Sequence, residues 1–159
     1  MLMKIFFTTI ITLCFYLTST AQINFKNPPW ETGCDSLMTQ MEMNICSGEK
    51  FQIADSILNY YYKKLIKYID RQYKNELKEF KDTTDNDQKE YLIQLKAQKK
   101  AIIKSENDFL NFRNSTISII DFQYKGGSMR PMMVNMYALD LTVNQIKILI
   151  KLKDEIIDK

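Results

Sequence analysis

Between Glu49 and Phe80 the chain carries no glycine or proline, and Ile53, Ile57, Tyr61, Leu65, Ile69, Tyr73 and Leu77 recur every fourth residue. Leu58 and Tyr68 widen this line. Apolar side chains at that spacing form one face of a helix, so the pattern predicts a long helix from about residue 49 to residue 80. The polar stretch 82–88 (DTTDNDQ) is rich in turn-forming residues, and the chain is expected to reverse there. A second long helix is predicted from about Gln88 to Phe122, with Leu92, Leu95, Ile102, Phe109, Phe112 and Ile119 on its apolar stripe.

Shorter elements flank this pair. Thr39-Gln40-Met41-Glu42 fits a capping box, in which the threonine oxygen accepts from an amide three residues on while the glutamate reaches back. It predicts a short helix ending near Ser47-Gly48, where glycine can stop it. Lys125-Gly126-Gly127-Ser128 should break the second long helix, with Ser128 capping the next and Pro131 in its first turn. That helix is expected over Met132–Leu141. Thr142-Val143-Asn144-Gln145 then resembles another capping box, opening a terminal helix through Ile146, Leu149, Ile150 and Leu152. No segment alternates as a strand would. The expected fold is all-α: a small bundle built on a long antiparallel helical hairpin, with shorter flanking helices and one disulfide.

The N-terminus changes the picture of where this bundle works. Lys4, an apolar run from Ile5 to Leu17 and the small residues Ser19-Thr20-Ala21 read as an export signal over residues 1–21. The run is too short to span a bilayer, which takes roughly 20 apolar residues. Lipid attachment at Cys14 is the alternative, but Leu13 stands where a small residue is wanted. Residues 22–33, with two prolines and a glycine, form an extended lead-in, and 34–159 a single helical domain. The expected location is periplasmic or secreted, with no membrane span once the signal is removed.

The whole chain has 22 basic and 19 acidic side chains; removing Lys4 with the signal leaves 21 − 19 = +2. So small an excess argues against a nucleic-acid binder. Cys34 and Cys46 remain, and an even pair at short spacing in an exported chain predicts a disulfide, the alternative being two free buried thiols.

Catalytic chemistry finds little to stand on. The chain has no histidine, which excludes Ser-His-Asp and Cys-His nucleophile arrangements and removes the commonest metal ligand. Asp82, Asp85 and Asp87 lack the glycine and closing glutamate of a calcium loop, and Gly126-Gly127-Ser128 lacks the lysine of a phosphate loop. No acid stands out as half of a hydrolytic carboxylate pair. The expectation is no enzyme, no metal and no cofactor. Glu42, Asn44, Asn59 and Arg113 fall among apolar neighbours and are expected to form a polar layer, with Arg113 pairing Glu42. Tyr60, Tyr61 and Tyr62 cannot all face one core, so one ring should be exposed. The methionines at 129, 132, 133 and 136 are expected mainly in the core.

These residues carry a resemblance. Cys34-x4-Thr39-Gln40-Met41-Glu42-Met43-Asn44-Ile45-Cys46, followed by Ala54-Asp55-x2-Leu58-Asn59-x2-Tyr62-x2-Leu65, resembles the opening of the LprI-like lysozyme-inhibitor family. Phe112-Arg113-Asn114, Gly126-Gly127-Ser128-Met129 and Leu141-Thr142 are similar to its later motifs. The chain departs from the family pattern at Phe109, Asn114 and Gln145, and lacks a second cysteine pair near Ile117 and Tyr137. The resemblance implies an exported bacterial helical domain stapled by Cys34–Cys46, which inhibits lysozyme by occluding its cleft. Lysozymes are typically basic, and residues 22–48 are the acidic end of this chain, with Glu31, Asp35 and Glu42 against Lys26. Those three acids are therefore the expected partner contacts. The alternative function is an envelope interaction or assembly protein with an endogenous partner and no lysozyme target.

Overall fold

The structure is a computed structural model that describes residues 28–31, 33–34, 36–80 and 86–158. The signal segment, most of the lead-in, Asp35 and most of the reversal at 82–88 lie outside the described residues. Packing divides the chain into residues 1–31 and 32–159. In the first unit the described residues form a turn in which the Glu31 amide donates to the Pro28 carbonyl at 3.0 Å.

The second unit is helical: α1 spans Gln40–Glu79, α2 Asn86–Gln123 and α3 Arg130–Ile157. Among the described residues there is no strand. The capping box forms as expected, with the Glu42 amide donating to Thr39 Oγ1 and the Glu42 carboxylate accepting from the Thr39 amide at 3.0 Å. The helix it starts does not end at Ser47-Gly48. It runs on for 40 residues, about 60 Å at 1.5 Å per residue.

The reason lies in packing against α3. A side chain carbon at Gly48 would sit 3.3 Å from Asn135 Nδ2, so glycine serves close helix approach here rather than termination. Ser47 is buried, donates to the Asn44 carbonyl and accepts from Asn135 Nδ2 at 3.2 Å.

The two expected C-terminal helices are likewise one. Thr142 is fully buried mid-helix, and its hydroxyl donates back to the Ala138 carbonyl at 2.7 Å instead of opening a new helix. Ser128 does not cap α3, whose N-cap is Met129, with Pro131 in the first turn as expected. Between α2 and α3 the chain turns through Gly126 at φ +83°, a backbone state that a Cβ would strain. Asp121 and Arg130 clamp this turn with two hydrogen bonds of 2.5 and 2.7 Å.

Pairings fix the directions. Lys99 meets Asp70 and Arg113 meets Asp55, so α1 and α2 are antiparallel. Asn135 meets Ser47 and Gln145 meets Tyr62, so α1 and α3 run parallel, and α3 packs on α1 more extensively than α2 does. The core is Ala54, Leu58, Tyr62, Leu65 and Ile69 of α1 with Ala138, Ile146 and Leu149 of α3 and Leu92, Leu95 and Ile120 of α2. Burying each leucine or isoleucine contributes about 1.5–3 kcal/mol.

The sequence stripes meet this core at Leu58, Leu65, Ile69, Leu92 and Leu95 and miss it elsewhere. Ile53, Leu77, Phe112 and Ile119 are exposed, while Ala54, Arg113 and Ile120 are buried. Of the three consecutive tyrosines, Tyr60 is exposed and Tyr62 fully buried. The end of α3 lies beside Lys64 and Leu65, with Asp158 feeling the Lys64 charge and Ile156 beside Leu65. Beyond that point α1 and α2 continue as a two-helix arm, held by the Lys99–Asp70 pair and by Lys96 over the Tyr73 ring.

Candidate protein-docking face

Two polar assemblies hold the three helices in register. At the first, Arg113 of α2 reaches between α1 and α3. Its Nη1 donates to Asp55 Oδ1 at 2.6 Å and to Thr142 Oγ1 at 2.9 Å. Asn59 Nδ2 donates to the other oxygen of Asp55 at 3.4 Å. The guanidinium sits over the rings of Phe51 and Phe109, 5.1 and 5.6 Å from their centroids. Arg113 and Asn59 thus share a network, but its acid is Asp55. The expected Glu42–Arg113 pair does not form, because the Glu42 carboxylate is engaged in the capping box on the surface of α1. Asp55 follows Ala54, and its i,i+4 relation to Asn59 was the signal that sequence reasoning missed.

The second assembly centres on Asn44. Its Nδ2 donates to the Ser128 carbonyl at 3.2 Å, and its Oδ1 accepts from the Met132 amide at 3.2 Å and from Gln40 Nε2 at 3.0 Å. The first turn of any helix leaves amides without partners. Met129 offers no side-chain cap, so α1 caps α3 from across the interface.

Neither assembly is built for reaction. An arginine engaged by a carboxylate and a threonine through Nη1, its Nε buried without a hydrogen-bond partner, offers no nucleophile and no free base. Among the described residues no group of His, Cys, Asp or Glu could hold a metal ion. A cavity of about 280 Å³ lies between the helices, walled mainly by Leu65, Ile102, Leu149, Leu152 and Ile156. The Tyr62 hydroxyl at its edge accepts from Gln145 at 2.7 Å, and burial pushes its pKa upward.

The surface offers more. Cys34 and Cys46 are bonded, with Cα atoms 5.8 Å apart, which ties the segment before α1 to its second turn. Beside this staple, Met38 is 96% exposed and Met41 72%, far above what an apolar side chain needs for packing. Ile45 and Ile53 continue the line, interleaved with exposed Glu42 and Glu49. Glu49, Gln52, Ile53 and Ser56 line a shallow open depression. The only described cation between residues 36 and 56 is Lys50, which is buried. The N-terminal half of α1 thus presents an acidic, apolar face on a rigid, stapled and capped helix.

Of the expected contact acids, Glu42 lies on this face. Glu31 is exposed within the first unit, and Asp35 lies outside the described residues. The methionines after Gly127 are less buried than expected: Met129 and Met136 are exposed and the other two are half-buried.

Among the described residues no helix is long and apolar enough to cross a membrane. The sequence profile of the family described as lysozyme inhibitor LprI matches residues 33–149, most of the chain. A protein of Rhizobium meliloti (strain 1021), described only as uncharacterized, is 25% identical over 130 residues, covering 82% of this chain and 84% of the relative. No solved structure gives a significant match.

Proposed function

Since the chain belongs to the LprI lysozyme-inhibitor family, we propose that it is an exported, non-enzymatic binding protein that inhibits lysozyme by covering its cleft. The carrying observation is the acidic, apolar N-terminal half of α1, with Met38, Met41, Ile45 and Ile53 exposed beside Glu42 and Glu49. Exposed apolar anchors supply the buried centre of an interface, and surrounding acids steer a basic enzyme toward it. Glu31, before Cys34, and Asp35, inside the disulfide loop, extend this acidic end in sequence and belong to the proposed contact set. The Arg113 network and the Asn44 cap act at a distance, by holding α1 rigid so that little ordering entropy is lost on binding.

The test is hydrolysis of bacterial cell walls by lysozyme with the oxidised domain titrated in. Stoichiometric inhibition is expected. Met41→Lys, or charge reversal at both Glu31 and Asp35, should weaken it about tenfold while helicity stays unchanged. Folded protein in excess that leaves hydrolysis untouched overturns this reading and favours an endogenous envelope partner.

A further inference from the structure

Along the solvent side of α1 the charge changes sign. Glu42 and Glu49 are exposed in the first half, and Lys63, Lys67, Arg71, Lys74 and Lys78 are exposed in the second. None of those five cations forms an ion pair among the described residues. The two sets share one line on the helix: Glu49 and Lys67 are 18 residues apart, about five turns. Exposed Met41, Ile45 and Ile53 ride the acidic half, and Tyr60, 54% exposed, sits at the crossover.

A solvated helix face ordinarily intersperses its signs. A face that is acidic at one end and basic at the other is complementary to itself turned end for end. We propose that α1 associates with α1 of a second copy, antiparallel, about a two-fold axis near Tyr60. In that register Glu49 lies opposite Arg71 and Glu42 opposite Lys78, and the symmetry repeats each pair. Ile53 falls opposite Lys67, whose aliphatic stem covers it. The two Tyr60 rings meet at the axis. A flat anionic membrane matches the face less well, because Glu42 and Glu49 would be pressed against like charge. The cations outnumber the acids, so the dimer is weak and dissociates on dilution. It covers the same N-terminal half of α1 that is proposed for lysozyme, so the two associations exclude each other.

Sedimentation velocity on the oxidised mature protein at low salt, from about 1 µM to 1 mM, tests this without lysozyme, so its outcome is independent of the inhibitor reading. A monomer–dimer equilibrium is expected. Glu49→Lys and Arg71→Glu should each raise the dissociation constant about tenfold, because symmetry makes one substitution break two pairs and create two like-charge contacts. The double variant should return to within about threefold of the parent. Both substitutions sit on exposed positions, and circular dichroism checks that each variant keeps the fold. A parent that stays monomeric to 1 mM overturns the proposal, as does a double variant that remains as weak as the singles.

Discussion

Removing either partner of the Arg113–Asp55 pair should not cost the same. Arg113 is 7% exposed, whereas the Asp55 side chain is 33% exposed. Asp55→Ala leaves a buried guanidinium with Thr142 Oγ1 as its remaining hydrogen-bond acceptor. Stranding a fully buried charge costs about 3–5 kcal/mol. Water entering through the space left by the partly exposed carboxylate lowers this to roughly 2–3 kcal/mol. Arg113→Met removes the charge and places a flexible apolar chain between Phe51 and Phe109, while Asp55 turns toward water and keeps its Asn59 contact. That change should cost about 1 kcal/mol or less, since a buried ion pair often gives little net stability over a packed apolar group. In urea, with a slope of about 1–3 kcal/mol per molar, Asp55→Ala should lower the midpoint by about 1–2 M and Arg113→Met by well under 1 M. The double variant should resemble Arg113→Met alone. Urea unfolding followed by helical circular dichroism, with the disulfide intact, measures all three. A loss in Arg113→Met equal to that in Asp55→Ala would refute the reasoning and make the pair, rather than the stranded charge, the source of stability.

Reducing the disulfide, or replacing both Cys34 and Cys46 by serine, should cost about 3 kcal/mol by loop entropy at a separation of 12 residues, read as a lower urea midpoint. Asn44→Ala should uncap α3 and cost about 1–2 kcal/mol, and hydrogen exchange should speed up at the amides of Met132 and its neighbours more than in α2. The Arg130 guanidinium beside Asp121 holds its carboxyl below the usual range, so the folded state gains stability above the unfolded pKa and loses it as pH falls through the folded one. Asp121→Asn should therefore flatten the acid limb of a stability–pH profile as pH falls through and below the usual carboxylate range.

Much of the hairpin was legible because long runs without glycine or proline leave helix as the local optimum, and the Thr39–Glu42 box marks its start at the residue. What misled was chemistry with two uses. Ser47-Gly48 has the composition of a helix end, yet there it lets α3 approach. Thr142-x2-Gln145 has the spacing of a cap, yet the threonine returns its hydroxyl to Ala138 and accepts from Arg113. Both readings rest on neighbours 29 or 88 residues away, which local pattern cannot supply. The places where the stripes miss the core have a related cause. Ala54 scores low as an apolar position, yet it is fully buried, while the more hydrophobic Ile53 beside it is exposed. The acidic, apolar docking face was half visible. Its acids could be counted, but the exposure of Met41, Ile45 and Ile53 follows from where α2 and α3 lie.

The cap that Asn44 lends to Met132 also governs when this fold can be completed. The bonds between α1 and α3 join residues 83 to 92 positions apart, against 29 and 58 for the two ion pairs between α1 and α2. A helical bundle ordinarily folds fast because its contacts are local; here the final docking step carries a loop-closure entropy closer to that of a sheet protein. Until the last fifth of the chain is free, Ser47 lacks its Asn135 partner and Tyr62 its Gln145 partner. A polypeptide threaded N-terminus first through a channel would thus be held open to translocation by its own topology, and would close only after residue 130 had passed.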